Sequence, residues 1–459
     1  MEIKDVRTKI LDYARKRGSD ETEVYILDKK LVTVRLASNQ IVEGKGIGDH
    51  GVGVRTVKDK AIGFAITNDF AEENLRKTVE DALSVAKVRG PAKHWKGLPE
   101  PEKAKTVPKV FDKEAAELET GEAVGLAIHM LDAAKNFNAK IADVSGSLNA
   151  LVDEVHIANS HGVDVAEACT TIFGSITTEA ADKNSRSSGV GFQGVCSLSE
   201  FIPEKIGEQS GEMAVKSLGA EKIEGGTYSL ILEPYALAEI MSYVFARSVI
   251  SKSYQDKVSC FQGKLGEKIA DESLSVYDDP TLPGFMGSMS FDDEGVPTQR
   301  LPLIENGILK NLQYDTFYAS KDDVASTGNA KRTGNFPGRT YSSIPFPEPH
   351  DFVVENGSMS KTELIEDTKL GILVGRIWYT YPLHPERGDF STTTRSGAFL
   401  IRDGEIQKPI RPMRIFDNLP RCLTSLGGIA NDTKQVTPWF GYHLVAPTIK
   451  FDKVKAVPV

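Results

Sequence analysis

The chain has 459 residues and carries 55 Lys plus Arg against 64 Asp plus Glu, a formal charge of −9. That length supports roughly two to four domains, and the acidic balance favours solubility while weakening any case for wrapping nucleic acid. The cysteines Cys169, Cys196, Cys260 and Cys422 form no CxxC pair, no apolar window approaches the ~20 residues that span a bilayer, and Met1 opens a charged segment rather than a signal peptide. The expectation is a soluble, cytoplasmic protein without a disulfide scaffold or a transmembrane segment.

Val6, Ile10, Tyr13 and Ala14 recur at helical spacing and Gly18-Ser19 ends the run, so a first helix is predicted over residues 4–16. Short β-rich runs follow at residues 22–27, 30–35, 51–57 and 61–66, separated by Asp-Lys, Gly-Asp and Lys-Asp pairs that read as turns of an antiparallel meander. Leu75, Val79, Ala82, Leu83 and Ala86 restore helical periodicity over 68–88. After a turn-rich stretch from Gly90 to Pro108, a long amphipathic pattern covers 113–137, strand-rich segments include 151–157, 168–175 and 190–197, and a helix is predicted over 202–218.

Composition changes again at Gly225-Gly226, where a strand over 227–232 leads into a helix over 234–251. Beyond it lie mostly short strands and turns, spaced as in a curled or barrel-like sheet assembly. Asn306-Gly307 and Asp403-Gly404, each between apolar runs, predict tight hairpins because both pairs tolerate left-handed backbone. The fold class expected is α+β: an N-terminal α/β-mixed region with antiparallel sheets and long helices, followed by a β-rich, barrel-like C-terminal domain. The boundary is placed near residues 220–226, giving domains 1–222 and 223–459, the first divisible into 1–90 and 110–222.

Five segments recur in a telling order: Phe291-Asp292-Asp293-Glu294-Gly295-Val296, Leu303 to Leu309, Ser326-Thr327-Gly328-Asn329-Ala330, Arg387-Gly388-Asp389-Phe390-Ser391 and Thr437-Pro438. Together they resemble the signature of the TldD/PmbA family, and the resemblance covers most of the chain. It implies a peptide-processing system in which catalytic TldD-like chains, carrying HExxxH on the helix after the first strand of the C-terminal half, assemble with PmbA/TldE-like partners. Part of the family has carried a DNA-gyrase-modulator name. Nothing here has the charge density or reading helix that direct DNA contact requires.

Carried onto this sequence, the first histidine position of that motif falls on Ala238, the glutamate on Glu239 and the second histidine on Tyr243. The resemblance also implies a cysteine soon after the Thr-Pro landmark, where this chain reads Thr437-Pro438-Trp439-Phe440-Gly441-Tyr442-His443. Alanine has no donor atom, a neutral tyrosine is a poor zinc ligand, and hydrolytic zinc needs about three protein ligands and an open position. Glu239 is therefore read as vestigial, with no metal and no cofactor expected. Ala238 and Tyr243 are five apart, about 140° around an ideal helix, and would face one site only with a local distortion.

Other constellations are weaker. His156 and His161, with Asp153, Glu154 and Asp164 nearby, match no standard motif, and the acidic pairs fit no EF-hand spacing. Gly46-Ile47-Gly48-Asp49-His50-Gly51 falls between strands rather than before a crossover helix, and no GxSxG elbow is present. Asn329, Lys331 and Arg332 are candidates for a peptide groove or a subunit seam. The expected role is a non-catalytic subunit that binds a TldD-like chain and peptide or unfolded polypeptide, forming a homodimer when isolated. The competing readings are a stand-alone metallopeptidase using His156, His161, His384 or His443, and a peptide-binding module without protease activity.

Overall fold

Val24 and Ile26 leave one face of the first strand and Tyr25 and Leu27 the other, and all four are buried. This strand therefore has covered surfaces on both sides, and the architecture follows from what covers them. The computed structural model describes residues 3–334, 338–438 and 441–459. Helix α1 (Ile3–Lys16) precedes β1 (Glu21–Ala37), β2 (Gln40–Lys58) and β3 (Ala61–Thr67), and α2 (Glu72–Arg89) closes that unit. A short α3 (Lys113–Glu117), capped by the Asp112 carboxylate on the Ala115 amide, leads to α4 (Thr120–Phe137), β4 (Ile141–Asn159), β5 (Asp164–Ala181), β6 (Arg186–Val195) and α5 (Pro203–Lys216).

The six strands form one antiparallel sheet in the order β3-β2-β1-β4-β5-β6. Residues of like parity along β1 meet the helices: Val24 and Ile26 pack with α1 and α2, whereas Val32, Val34 and Leu36 pack with α4. Tyr25 and Leu27 face away from the helices and meet Phe291 from the C-terminal half. Alternation along a strand thus separates two cores.

The Asp28-Lys29 pair does not turn; β1 runs unbroken because it pairs with β2 on one side and β4 on the other through this point, Lys29 opposite Asp49 and Asp153. The reversal comes instead at Ser38-Asn39, both at positive φ, and at Asp59-Lys60. The Gly-Asp run at Gly48-Asp49 likewise lies inside β2, not between strands.

The C-terminal half is a curled, half-barrel β assembly. Strand β7 (Gly226–Leu232) lies within a nine-stranded sheet, parallel to Leu370–Val374 and antiparallel to Ile449–Pro458. A six-stranded sheet packs opposite, and α6 (Pro234–Ile240) with its continuation lies between them. Leu237, Ala238 and Phe245 share one core with Leu230 and Ile372 of the larger sheet and Leu303, Phe352 and Leu444 of the smaller. Both Asn-Gly and Asp-Gly hairpins occur, with Asn306, Gly307, Asp403 and Gly404 all at positive φ.

Candidate functional site

The helix predicted over 234–251 is interrupted. Pro234 starts it at the first helical position, where a missing N–H costs nothing, and α6 gives way at Met241–Phe245 to a π-helical turn in which the Ala246 amide donates to the Met241 carbonyl. Helix resumes over Ala246–Val249 and stops at Ile250, whose extended backbone lets the flanking Val249 and Ser251 exchange hydrogen bonds with Gln313. The π turn widens the helix just past Ala238 and includes Tyr243, the kind of local distortion that residues 238 and 243 would need to face one site.

Ala238 is fully buried and Glu239 is 7% exposed. The Thr380 hydroxyl donates to the Glu239 carboxylate and Arg376 acts on it through space, but burial outweighs both and pushes its pKa up to about 7. Thr380 in turn meets the Thr392 hydroxyl at 2.8 Å. Burial first, then Glu239, drives the Tyr243 phenol above its ordinary value, so it stays protonated at neutral pH. Tyr235, one turn earlier and tilted against Phe192 of β6, is pushed up to about 12 by burial. The position thus combines a methyl group, a carboxyl poised near neutrality and a neutral phenol. These residues do not fit a hydrolytic zinc: the methyl offers no lone pair and the phenol holds its proton.

The other sequence candidates separate in space. His156 meets Glu154 at 2.8 Å, whereas His161 lies 3.0 Å from Glu100, and the exposed His384 lies 3.7 Å from Glu386. His443 accepts or donates at Thr437 Oγ1, 2.7 Å from its Nδ1, and burial followed by the Lys331 charge pushes its pKa down to about 3. Trp439 and Phe440, between those two residues, lie outside the described residues. Among the described residues, no three His, Cys, Asp or Glu side chains converge so as to hold a metal ion.

Asn329, Lys331 and Arg332 share a strand-like segment but not an environment. Asn329 is buried and donates to Asp278 and to the Glu348 carbonyl. Lys331, half-buried, donates to the Pro349 carbonyl at 3.1 Å and lies over Tyr442. Arg332 is fully buried, pairs with Glu23 of β1, donates to the Ser343 carbonyl at 2.6 Å and stacks over Tyr25. It joins the N-terminal sheet to the C-terminal half, and in this conformation Lys331 alone of the three is open to a visitor.

Sequence reading missed Arg376, Thr380 and the aromatic residues Trp378, Tyr379 and Tyr381. The signal was present in Arg376-Ile377-Trp378-Tyr379-Thr380-Tyr381, an aromatic-rich stretch with a single cation at its head. Only the fold places it beside Glu239.

Three models of the PmbA/TldA metallopeptidase family match this chain in order: domain 1 over residues 22–86, the central domain over 113–218 and the C-terminal domain over 225–457. This chain belongs to the TldD/PmbA metallopeptidase family. It is 28% identical over 398 residues to an uncharacterized protein of Methanocaldococcus jannaschii, covering 87% of this chain and 88% of that one. It is 25% identical to the metalloprotease PmbA homolog of Haemophilus influenzae, covering 99% and 96% of the two chains. The crystal structure of TldE from Thermococcus kodakarensis superposes with a TM-score of 0.89 at 27% identity, covering 98% of this chain and all of that one. No helix among the described residues is long and apolar enough to cross a membrane.

Proposed function

We propose that this TldD/PmbA-family chain is a non-catalytic, PmbA/TldE-type subunit that pairs with a TldD-like catalytic chain and helps hold peptide or unfolded polypeptide for cleavage. The observation that carries this reading is the chemistry at the motif helix. Ala238 stands where a ligand is required, Tyr243 keeps its proton, and Glu239 is held by Thr380 rather than by a metal-bound water. A carboxylate beside zinc acts by taking a proton from that water, and without the ligands it has none to take. The likeness to TldE over nearly the whole chain supports the same branch.

The test is co-expression with a family relative from the same cell that retains both helix histidines. A stable complex, with turnover of unfolded peptide that neither chain gives alone, supports the reading. Stoichiometric zinc in this chain alone, with chelator-sensitive peptide cleavage that Glu239→Gln abolishes, sinks it.

A further inference from the structure

Arg376 and Arg395 hold their guanidinium groups against the same indole, 5.1 and 4.6 Å from the Trp378 ring centroid. Arg376 is only 8% exposed. Among the described residues neither guanidinium has a carboxylate within 4.0 Å or a hydrogen-bond acceptor, although each repels the other and burial already disfavours the charge on Arg376. Stacking on one indole attracts both cations but supplies no counter-charge. The arrangement lacks an anion. Glu239, the nearest carboxyl, is held by Thr380 and reaches Arg376 only through space.

The surface beside this pair is built for a chain. Trp378 and Tyr379 stack at 5.4 Å and Tyr379 and Tyr381 at 6.3 Å, with exposures of 36%, 52% and 54% along the three. Neighbouring residues of a regular strand point to opposite faces, so this ladder exists only because Tyr379 adopts φ +55° and the register slips between Trp378 and Tyr381. A left-handed aromatic residue is strained, and such strain clusters at functional sites. The strand carrying the ladder, Ile377–His384, is the outermost of its sheet, with no strand on its far side among the described residues.

We propose that Arg376 and Arg395, framed by Trp378, form a carboxylate-binding site that gives this subunit a preference for extended peptides bearing an acidic group. This names the substrate class of the site above and so rests on the reading of a peptide-holding subunit. A peptide fits better than a nucleic acid strand. A carboxyl, Glu239, acts on Arg376 through space and the chain carries a net −9, whereas a phosphate backbone needs cations repeated along its path. The small exposed part of Arg376 also favours a single side chain or chain end over a flat protein face.

The full-length protein is titrated into fluorescein-labelled, otherwise identical Ala/Ser-rich peptides that differ only in Glu against Gln, each made with a free and with an amidated C-terminus, and anisotropy is read. A charge-assisted pair predicts roughly tenfold tighter binding of a carboxylate-bearing peptide, with the amide arm showing whether side chain or chain end is bound. Arg395→Gln, on a half-exposed residue, brings the ratio close to one, as does Trp378→Leu if Arg376→Gln fails to fold. Equal affinities for all four peptides, an unchanged ratio in Arg395→Gln, or displacement by a single-stranded oligonucleotide more readily than by the acidic peptide overturns the proposal. Complex formation with the catalytic relative, read by size exclusion on the same samples, separates this failure from that of the subunit assignment.

Discussion

Glu23 and Arg332, 309 residues apart in sequence, form an ion pair in which both side chains are wholly withdrawn from water. Arg55 of β2 takes the other oxygen of the same carboxylate and reaches Glu294 at 2.7 Å, and Arg339 lies 3.3 Å from Asp293. The N-terminal sheet and the Phe291 to Gly295 segment are thereby tied through a continuous buried network. Removing one charge strands the others, so Glu23→Gln should destabilise the protein by about 3–5 kcal/mol, far beyond the cost of one hydrogen bond. The midpoint of urea unfolding measures it. A loss below about 1 kcal/mol would show that the network contributes little.

Glu239→Gln should have an effect that changes with pH. The folded pKa, about 7, lies above the ordinary 4.5, so the fold favours the neutral form. Stability is unaffected by this group below pH 4.5, falls as pH rises through the interval to 7, and stays reduced above it. Glutamine mimics the neutral acid. The variant should match the parent at pH 4.5 and exceed it by about 1–3 kcal/mol at pH 8, measured by paired denaturation curves.

His443 gives the opposite slope. Its pKa is pushed down to about 3 from 6.5, so the neutral ring is favoured and its contribution is present above pH 6.5 and lost as acid is added toward pH 3. Replacing it by Asn should lower stability at pH 7, by about 1 kcal/mol for the Thr437 bond and some packing, but flatten the decline between pH 6.5 and 4. Parallel curves for parent and variant across that range would refute the assignment.

Gly63 is the point of closest approach between β3 and α2. A Cβ there would stand 1.8 Å from the Ala82 carbonyl oxygen and 2.6 Å from the Ala86 nitrogen, both backbone, so no side chain can yield. Gly63→Ala should cost about 3 kcal/mol through displacement of the helix. Gly125→Ala on α4, where a Cβ meets nothing within 4 Å, should instead stabilise by about 0.5–1 kcal/mol. Thermal melts of the two variants give opposite shifts if the packing is as described.

Local chemistry alone made several elements readable. The periodicity of Val6, Ile10 and Ala14 marks α1, and the left-handed tolerance of Asn306-Gly307 and Asp403-Gly404 marks two hairpins, because each is decided by residues within one turn of one another. The five ordered segments disclosed the family.

What the sequence could not decide depended on partners distant along the chain. Asp28-Lys29 reads as a turn until two neighbouring strands hold it extended, and Arg332 reads as a candidate for a peptide groove or subunit seam until Glu23 and Tyr25 enclose it. The π turn at Met241–Phe245 is likewise settled by two sheets closing on one helix. The pairing of Arg376 with Arg395 across a bulged ribbon, beside Glu239, required the whole C-terminal half to fold. Short-range preferences are written in neighbouring side chains, but burial, and with it the charge a group can carry, is a property of the assembled surroundings.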